Sequence, residues 1–237
     1  MLLQARNLAH RRGDARQGVT IALPRLDLGR GEVLFVTGPS GSGKSTLLEV
    51  LGLVTAPLAG SELVLDADGA GGVDIAALWR RRDEAALATL RARHIGFVLQ
   101  AGGLLPFLSL AENIQFNRRL LRLPEETDLV AAMVARLGLE RLLHRLPHQV
   151  SVGEAQRAAI ARALAHRPAL VLADEPTSAL HPRMAREVAA LLLENAAEAG
   201  AALVIASHAT DWEIRDGHKR LQAVPAPGYG SRFEAVA

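Results

Sequence analysis

Three apolar runs in the chain do not alternate with polar positions. Residues 31–37 read Gly-Glu-Val-Leu-Phe-Val-Thr, β-branched in part and bounded by glycine, which is the pattern of a strand buried on both faces. Residues 169–173 repeat it and run into Asp174, Glu175 and Pro176, and residues 202–206 repeat it again and run into Ser207 and His208. Continuous runs of this kind indicate a parallel sheet flanked by helices, so the expected class is α/β. Helical spacing of Ala, Leu and Arg marks residues 85–93, 109–121, 129–137 and 155–165. Residues of about 101–158 therefore read as a mostly helical insertion in the α/β body. Residues 19–28 alternate too poorly to assign. Gly69, Gly71 and Gly72 make residues 65–73 read as a flexible surface loop. The end from about residue 222, and above all 225–237, reads as a loosely held tail. With no internal repeat and no linker, residues 1–237 are expected to form a single domain.

Composition removes several functions. The 237 residues are 49% hydrophobic and 22% charged, an ordinary globular balance that supports a substantial core. The absence of Cys excludes disulfides, thiolate metal sites and thiol catalysis. A net charge of +2 and only 3% aromatic residues argue against a nucleic-acid partner, which needs a basic face or stacking rings. No apolar run reaches the roughly 18 residues of a membrane span, and the N-terminus lacks a signal-like segment. The expected location is the cytoplasm, or the membrane surface through partners.

The candidate chemistry starts directly after the first strand, at Gly38-Pro39-Ser40-Gly41-Ser42-Gly43-Lys44-Ser45-Thr46, followed by a helical stretch over residues 47–51. Glycines at this spacing let backbone N–H groups wrap a polyphosphate, and the following helix points its positive end at the anion. Lys44, one of two lysines in a chain whose other cations are arginines, can reach the β- and γ-phosphates. Ser45 can ligate Mg²⁺. Asp174 stands at the end of an apolar strand, where a P-loop fold holds Mg²⁺ through water, and Glu175 beside it can polarise an attacking water.

Other motifs lie in a telling order. The stretch Val150-Ser151-Val152-Gly153-Glu154-Ala155-Gln156-Arg157 resembles the signature loop of ABC ATPases. Phe97-Val98-Leu99-Gln100 resembles their Q-loop, Thr177-Ser178-Ala179-Leu180-His181 their D-loop, and Ser207-His208 their switch histidine. Together these cover about residues 1–215, and over Gly38 to Leu51, Ile95 to Gln100 with Leu104-Leu105-Pro106, Glu112-Asn113 and Leu170 to Thr177 the chain looks most like the subunits serving lipoprotein-release and macrolide-export transporters, with cell-division ATPases of the same branch as close competitors. The resemblance implies a P-loop NTPase with a RecA-like core, an antiparallel β edge and an inserted helical subdomain. It implies ATP and Mg²⁺ as ligands, with Ser45, Gln100 and Asp174 at the metal. It implies hydrolysis by Glu175, with Gln100 sensing the water and His208 holding the γ-phosphate. It further implies a head-to-tail dimer, Ser151, Val152, Gly153 and Glu154 of one copy facing the other copy's ATP, with Ser178, Ala179, Leu180 and His181 between the two sites. Permease subunits in the membrane would be the partners, placing the protein on the inner face of the cell membrane.

Three residues depart from that pattern. Val152 stands where the family uses the first signature glycine, losing access to positive φ and predicting a slower or weaker trans site. His181 replaces an aspartate, which predicts altered coupling. The family's adenine-stacking aromatic is missing upstream of the loop, since the only Tyr is Tyr229 and neither Trp precedes residue 79. His10 is the nearest candidate to stack the base. The readings to separate are an active transport ATPase and a nucleotide-gated signalling or scaffold subunit of an envelope complex, such as one regulating type VI secretion.

Overall fold

A computed structural model of the chain describes residues 1–13, 18–100, 103–124, 127–178, 180–207, 217–227 and 229–236. Among the described residues ten strands form one mixed sheet. One side of it is parallel: β3 (Val33–Thr37), β8 (Ala202–Ser207), β7 (Leu170–Asp174) and β6 (Ile95–Val98) lie side by side in that order, with β6 at the edge. The apolar residues of β3, β7 and β8 alternate between the two faces of the sheet. Leu34, Val36, Leu170, Leu172 and Val204 pack into one core, and Phe35, Val171, Ala173, Leu203 and Ile205 into the other. Burial on both faces is the reason the runs are continuous.

The opposite edge of the sheet is antiparallel. β1 (Leu3–Arg12) pairs with β2 (Val19–Leu28) on one side and with β4 (Glu62–Leu65) on the other, and β4 carries the two-residue β5 (Val73–Asp74). Residues 66–72, with their glycines, connect β4 to β5. The unassigned stretch 19–28 is thus a full strand. Its inward residues are Ile21 and Leu23, then Leu26 and Leu28, while β1 turns in Leu3 and Ala5, then Leu8. Both strands change face at the same level, beside Asn7 with φ 47°, and this phase change hides the alternation.

The expected tail is corrected. Residues Lys219–Ala226 form β9 and Tyr229–Ala235 form β10, an antiparallel hairpin set inside the sheet between β3 and β2. Leu221, Ala223 and Phe233 are buried, Phe233 completely. Pro225 and Pro227 belong to a hairpin near its turn instead of marking a loose end.

Helices cover both faces. α1 (Lys44–Leu51) follows β3, and α2 (Ile75–Arg81) and α3 (Glu84–His94) precede β6. Between β6 and β7 the chain runs through α4 (Leu110–Leu120), α5 (Thr127–Arg136), two short 3-10 turns and α6 (Val152–Leu164). α7 (Pro182–Glu198), which the sequence reading did not assign, is amphipathic, burying Ala185, Val188, Ala189, Leu192 and Ala196. Ser109 with Glu112 starts α4, and Ser151 with Glu154 starts α6, each as a reciprocal capping box. α1 begins differently, on Gly43 with φ 87° and no side-chain cap, so its first N–H groups stay available to an outside acceptor.

Candidate nucleotide site

That uncapped helix end opens into a cavity of about 390 Å³ lined by residues 40–46 of the glycine loop. Strands on the two sides of β3 complete it. Gln100 and Glu175 arrive from the ends of β6 and β7, and Arg12, Val19 and Ile21 from β1 and β2. Glycine is needed at two points of the loop. Gly38 has φ 151°, and a Cβ there would stand 2.7 Å from the Ala223 methyl; Gly43 has φ 87°, and a Cβ there would stand 2.5 Å from Ile21 Cγ2. An added side chain would collide at both and be strained at Gly43. Pro39, Ser40 and Gly41 are exposed, while Ser42, Lys44 and Thr46 are buried.

Lys44 is 5% exposed and held from three directions. Its Nζ donates to the carbonyls of Gly38 at 2.9 Å and Pro39 at 3.1 Å, and it pairs with Glu175 Oε1 at 3.7 Å. Gln100 Nε2 donates to Glu175 Oε2 at 3.3 Å. Glu175 sits at φ 44°, a backbone conformation that costs a non-glycine residue about 1–3 kcal/mol and persists where the surroundings fix it. Its N–H donates to the Ala206 carbonyl at 2.9 Å, tying β7 to β8 at this level.

Asp174 lies at the end of β7 and is half-buried. Burial raises its pKa, countered by a hydrogen bond from Ser45; Glu175 pushes it up further and Lys44 pulls it down. Oδ1 of Asp174 is buried and has no hydrogen-bond partner, and neither has Oγ of Ser42. A buried, unpartnered carboxylate oxygen beside a hydroxyl is a donor set suited to a small, hard cation.

Ser151 is the exposed N-cap of α6; its N–H donates to Glu154 Oε2 at 2.7 Å and its hydroxyl to the same oxygen at 2.8 Å. These two bonds, N–H first, hold the Glu154 carboxyl below its ordinary pKa. Val152 is the first residue of α6 and is 62% exposed. Its backbone is helical, with no positive φ, so the valine carries no backbone strain here. Gly153 is buried against Met184. Ser178 folds back on the Glu175 carbonyl, and His181 is the N-cap of α7 without a side-chain bond to it. Among the described residues, none of the signature or D-loop positions lines the cavity. His208 and Ala179 lie outside the described residues.

His10 is corrected. Its Nδ1 donates to the Ala56 carbonyl at 2.8 Å, and it does not line the cavity. Arg12, two residues further along the same face of β1, does line it, and its Nη1 approaches Thr46 Oγ1 at 3.5 Å. Counting by twos from His10 along an assigned strand would have found it. Val19 and Ile21 were missed because β2 itself was.

The class this fold and loop define is an α/β P-loop ATPase with a mixed sheet. The sequence profile of the ABC transporter family matches residues 24–178. The lipoprotein-releasing system ATP-binding protein LolD of Anaeromyxobacter dehalogenans is 43% identical over 195 residues, 80% of this chain and 77% of that protein. The macrolide export ATP-binding/permease protein MacB 2 of Aeromonas hydrophila is 36% identical over 93% of this chain and 32% of its own length. A dimeric, post-hydrolysis structure of the ATP-binding cassette MJ0796 bound to ADP and Pi superposes with a TM-score of 0.78 at 28% identity, covering 100% of this chain and 99% of that one. A second dimeric structure of that cassette gives 0.76 at 29% identity over 93% and 94%. The chain belongs to the ABC transporter family, and within it is an ATP-binding, ATP-hydrolysing cassette.

Proposed function

We propose that this cassette powers a membrane complex of the lipoprotein-release or macrolide-export kind, closing on ATP against a second copy of itself and opening after hydrolysis. The observation carrying the reading is the buried Lys44 at the end of an uncapped helix, facing Glu175, with the unpartnered Asp174 oxygen behind it. In the proposed ground state the loop amides and Lys44 take the β- and γ-phosphates, and Glu175 gives up its pairing with Lys44 to them. Mg²⁺, when bound, neutralises charge on the phosphate oxygens, and Ser45 and Asp174, with Gln100 beyond them, would hold it. Glu175, freed from Lys44 and still within reach of Gln100, accepts a proton from the attacking water. Ser151 and the first amides of α6 offer the partner's γ-phosphate a second receptor, once Glu154 releases the hydroxyl. His208 would hold the γ-phosphate from the near side, and His181 would stand between the two sites.

Among the described residues no helix is long and apolar enough to cross a membrane, and we place the protein on the inner membrane face through permease subunits. A groove of about 370 Å³ is lined by Val54, Phe97 and Leu99 and by the charged residues Glu49, Arg91 and Arg162. Leu99 lines this groove and Gln100 lines the nucleotide cavity, so a step at the nucleotide is one residue away from anything seated there. The proposed occupant is a short cytoplasmic helix of the permease, apolar on one side and acidic at its end.

Glu175→Gln tests the mechanism. With MgATP it is expected to accumulate a dimer on gel filtration that the wild type forms only transiently, and to lower turnover by about 10²-fold or more. Monomers alone at saturating nucleotide would refute the trans-site dimer. A wild-type rate in the assembled complex no higher than the variant's would favour the signalling alternative, to which Val152 and His181 point.

A further inference from the structure

Gln100, whose amide meets Glu175, sits on a stretch that has left the sheet. β6 is the edge strand, and its pairing with β7 ends at Val98 opposite Ala173. Leu99 and Gln100 run on beyond that point, both exposed. Two side chains of α6 reach across to hold this stretch. Gln156, buried in the first half of the helix, donates from Nε2 to the Leu99 carbonyl at 3.4 Å. Arg162, near the end of the helix, donates from Nη1 to the Gly103 carbonyl at 2.7 Å. One carbonyl precedes Gln100 and the other follows it. Gly103 has φ 59°, and a Cβ there would stand 2.7 Å from Leu99 Cδ1, so the two ends of the stretch lie together. Arg162 is half-buried, and burial pulls its pKa down. A charged donor partly withdrawn from water gains more from a carbonyl than an exposed one does. Neither Gln156 nor Arg162 lines the nucleotide cavity.

We infer that Arg162 and Gln156 are positioning residues for hydrolysis: from α6 they fix both ends of the stretch carrying Gln100, and so set where its amide meets Glu175 and the attacking water. The inference rests on the proposed reading of Glu175 as the base with Gln100 beside it at the water. Gln100 reaches Glu175 at 3.3 Å, already a long bond, and a shift of about 1 Å in such a group is enough to lose most of its effect on a reaction. α6 also begins at Ser151, the proposed receptor for the partner's triphosphate. In the proposed dimer, a movement of α6 drawn by the partner's nucleotide is therefore passed to this copy's own Gln100. The competing role for both side chains is to fasten α6 to the body of the protein with no bearing on Gln100, and a double-mutant cycle separates the two.

The test is steady-state hydrolysis of MgATP by the purified chain carrying Arg162→Met, Gln156→Met and Gln100→Ala, singly and in pairs, with ATP binding followed by isothermal titration. Gln100→Ala should lower kcat by about 10-fold or more. Arg162→Met should lower it by about 10-fold and Gln156→Met, whose bond is longer and neutral, by about 3-fold, while ATP affinity changes by less than about 2-fold. In the Gln100→Ala background neither change should lower kcat by more than about a further 2-fold, because both act through that amide. Arg162→Lys keeps a charged donor and should recover most of the loss. Full additivity with Gln100→Ala, wild-type kcat in Arg162→Met, or a loss confined to ATP affinity would overturn the assignment. Wild-type kcat in Gln100→Ala would instead refute the reading of Gln100 beneath it.

Discussion

At Gly153 two effects of a single methyl group oppose each other. The residue is the second of α6, with no positive φ, so alanine should improve helix propensity by up to about 1 kcal/mol. A Cβ at Gly153 would overlap Met184 Sδ on α7, but that atom lies near the end of a flexible, half-buried side chain that can turn aside at small cost. The propensity gain should win in the wild-type background and grow when Met184 is cut back. Gly153→Ala is therefore expected to raise stability alone and to raise it somewhat more in Met184→Ala, measured as urea midpoints in a double-mutant cycle. A destabilising effect in the wild-type background that Met184→Ala relieves would show that the packing of α6 on α7 needs this contact. Single residues also show what the sequence makes legible. Lys44, Asp174 and Glu175 announce themselves because loop spacing and strand ends fix where they point. Arg12 does not, because its place in the cavity depends on two strands whose alternation breaks at Asn7 and on the bond that holds His10 aside at Ala56.

At the scale of elements, the junction of α6 with its surroundings carries a pH dependence. His166 follows the end of α6, is buried, and accepts a hydrogen bond from Asn117 Nδ2 at 3.5 Å. Burial pushes its pKa down to about 4, opposed by a hydrogen bond with the Ile95 backbone and reinforced by the charges of Arg118 and His94. His94 is also shifted downward, by burial first. The unfolded chain binds a proton at His166 near pH 6.5 and the folded chain only near pH 4, so stability is fully present above pH 6.5 and is lost as pH falls between these values. The shift amounts to roughly 3 kcal/mol at its limit. Unfolding in urea at pH 7 and pH 5 should show the loss, and His166→Gln should flatten most of it. An unchanged slope in that variant would assign the acid sensitivity elsewhere. Elements with one clear period were legible here: the three apolar strands and the helices α3 to α6. α7 is not legible despite its amphipathic stripe, and the β9–β10 hairpin imitates a loose end because Pro225, Pro227 and the glycines near its turn read as loop.

For the whole molecule the proposed event is association with a second copy, and Val152 sets two opposite terms on it. Its side chain projects from the first turn of α6, beside the amides of the proposed second phosphate receptor, and is 62% exposed. Within the monomer Val152→Gly puts glycine on helical backbone and should cost about 0.5–1 kcal/mol through added chain entropy. Between two copies, in the proposed dimer, the same change would clear the approach of the partner's triphosphate to Ser151 and the helix amides. Stability and dimerisation should therefore move in opposite directions: a slightly lower urea midpoint, and an ATP-dependent dimer of the Glu175→Gln background that forms at several-fold lower protein concentration, read by analytical ultracentrifugation. A dimer weakened along with the fold would mean that the valine is itself part of the contact between copies, its methyls covered by the partner, and the trans site would then be built around the substitution instead of hindered by it.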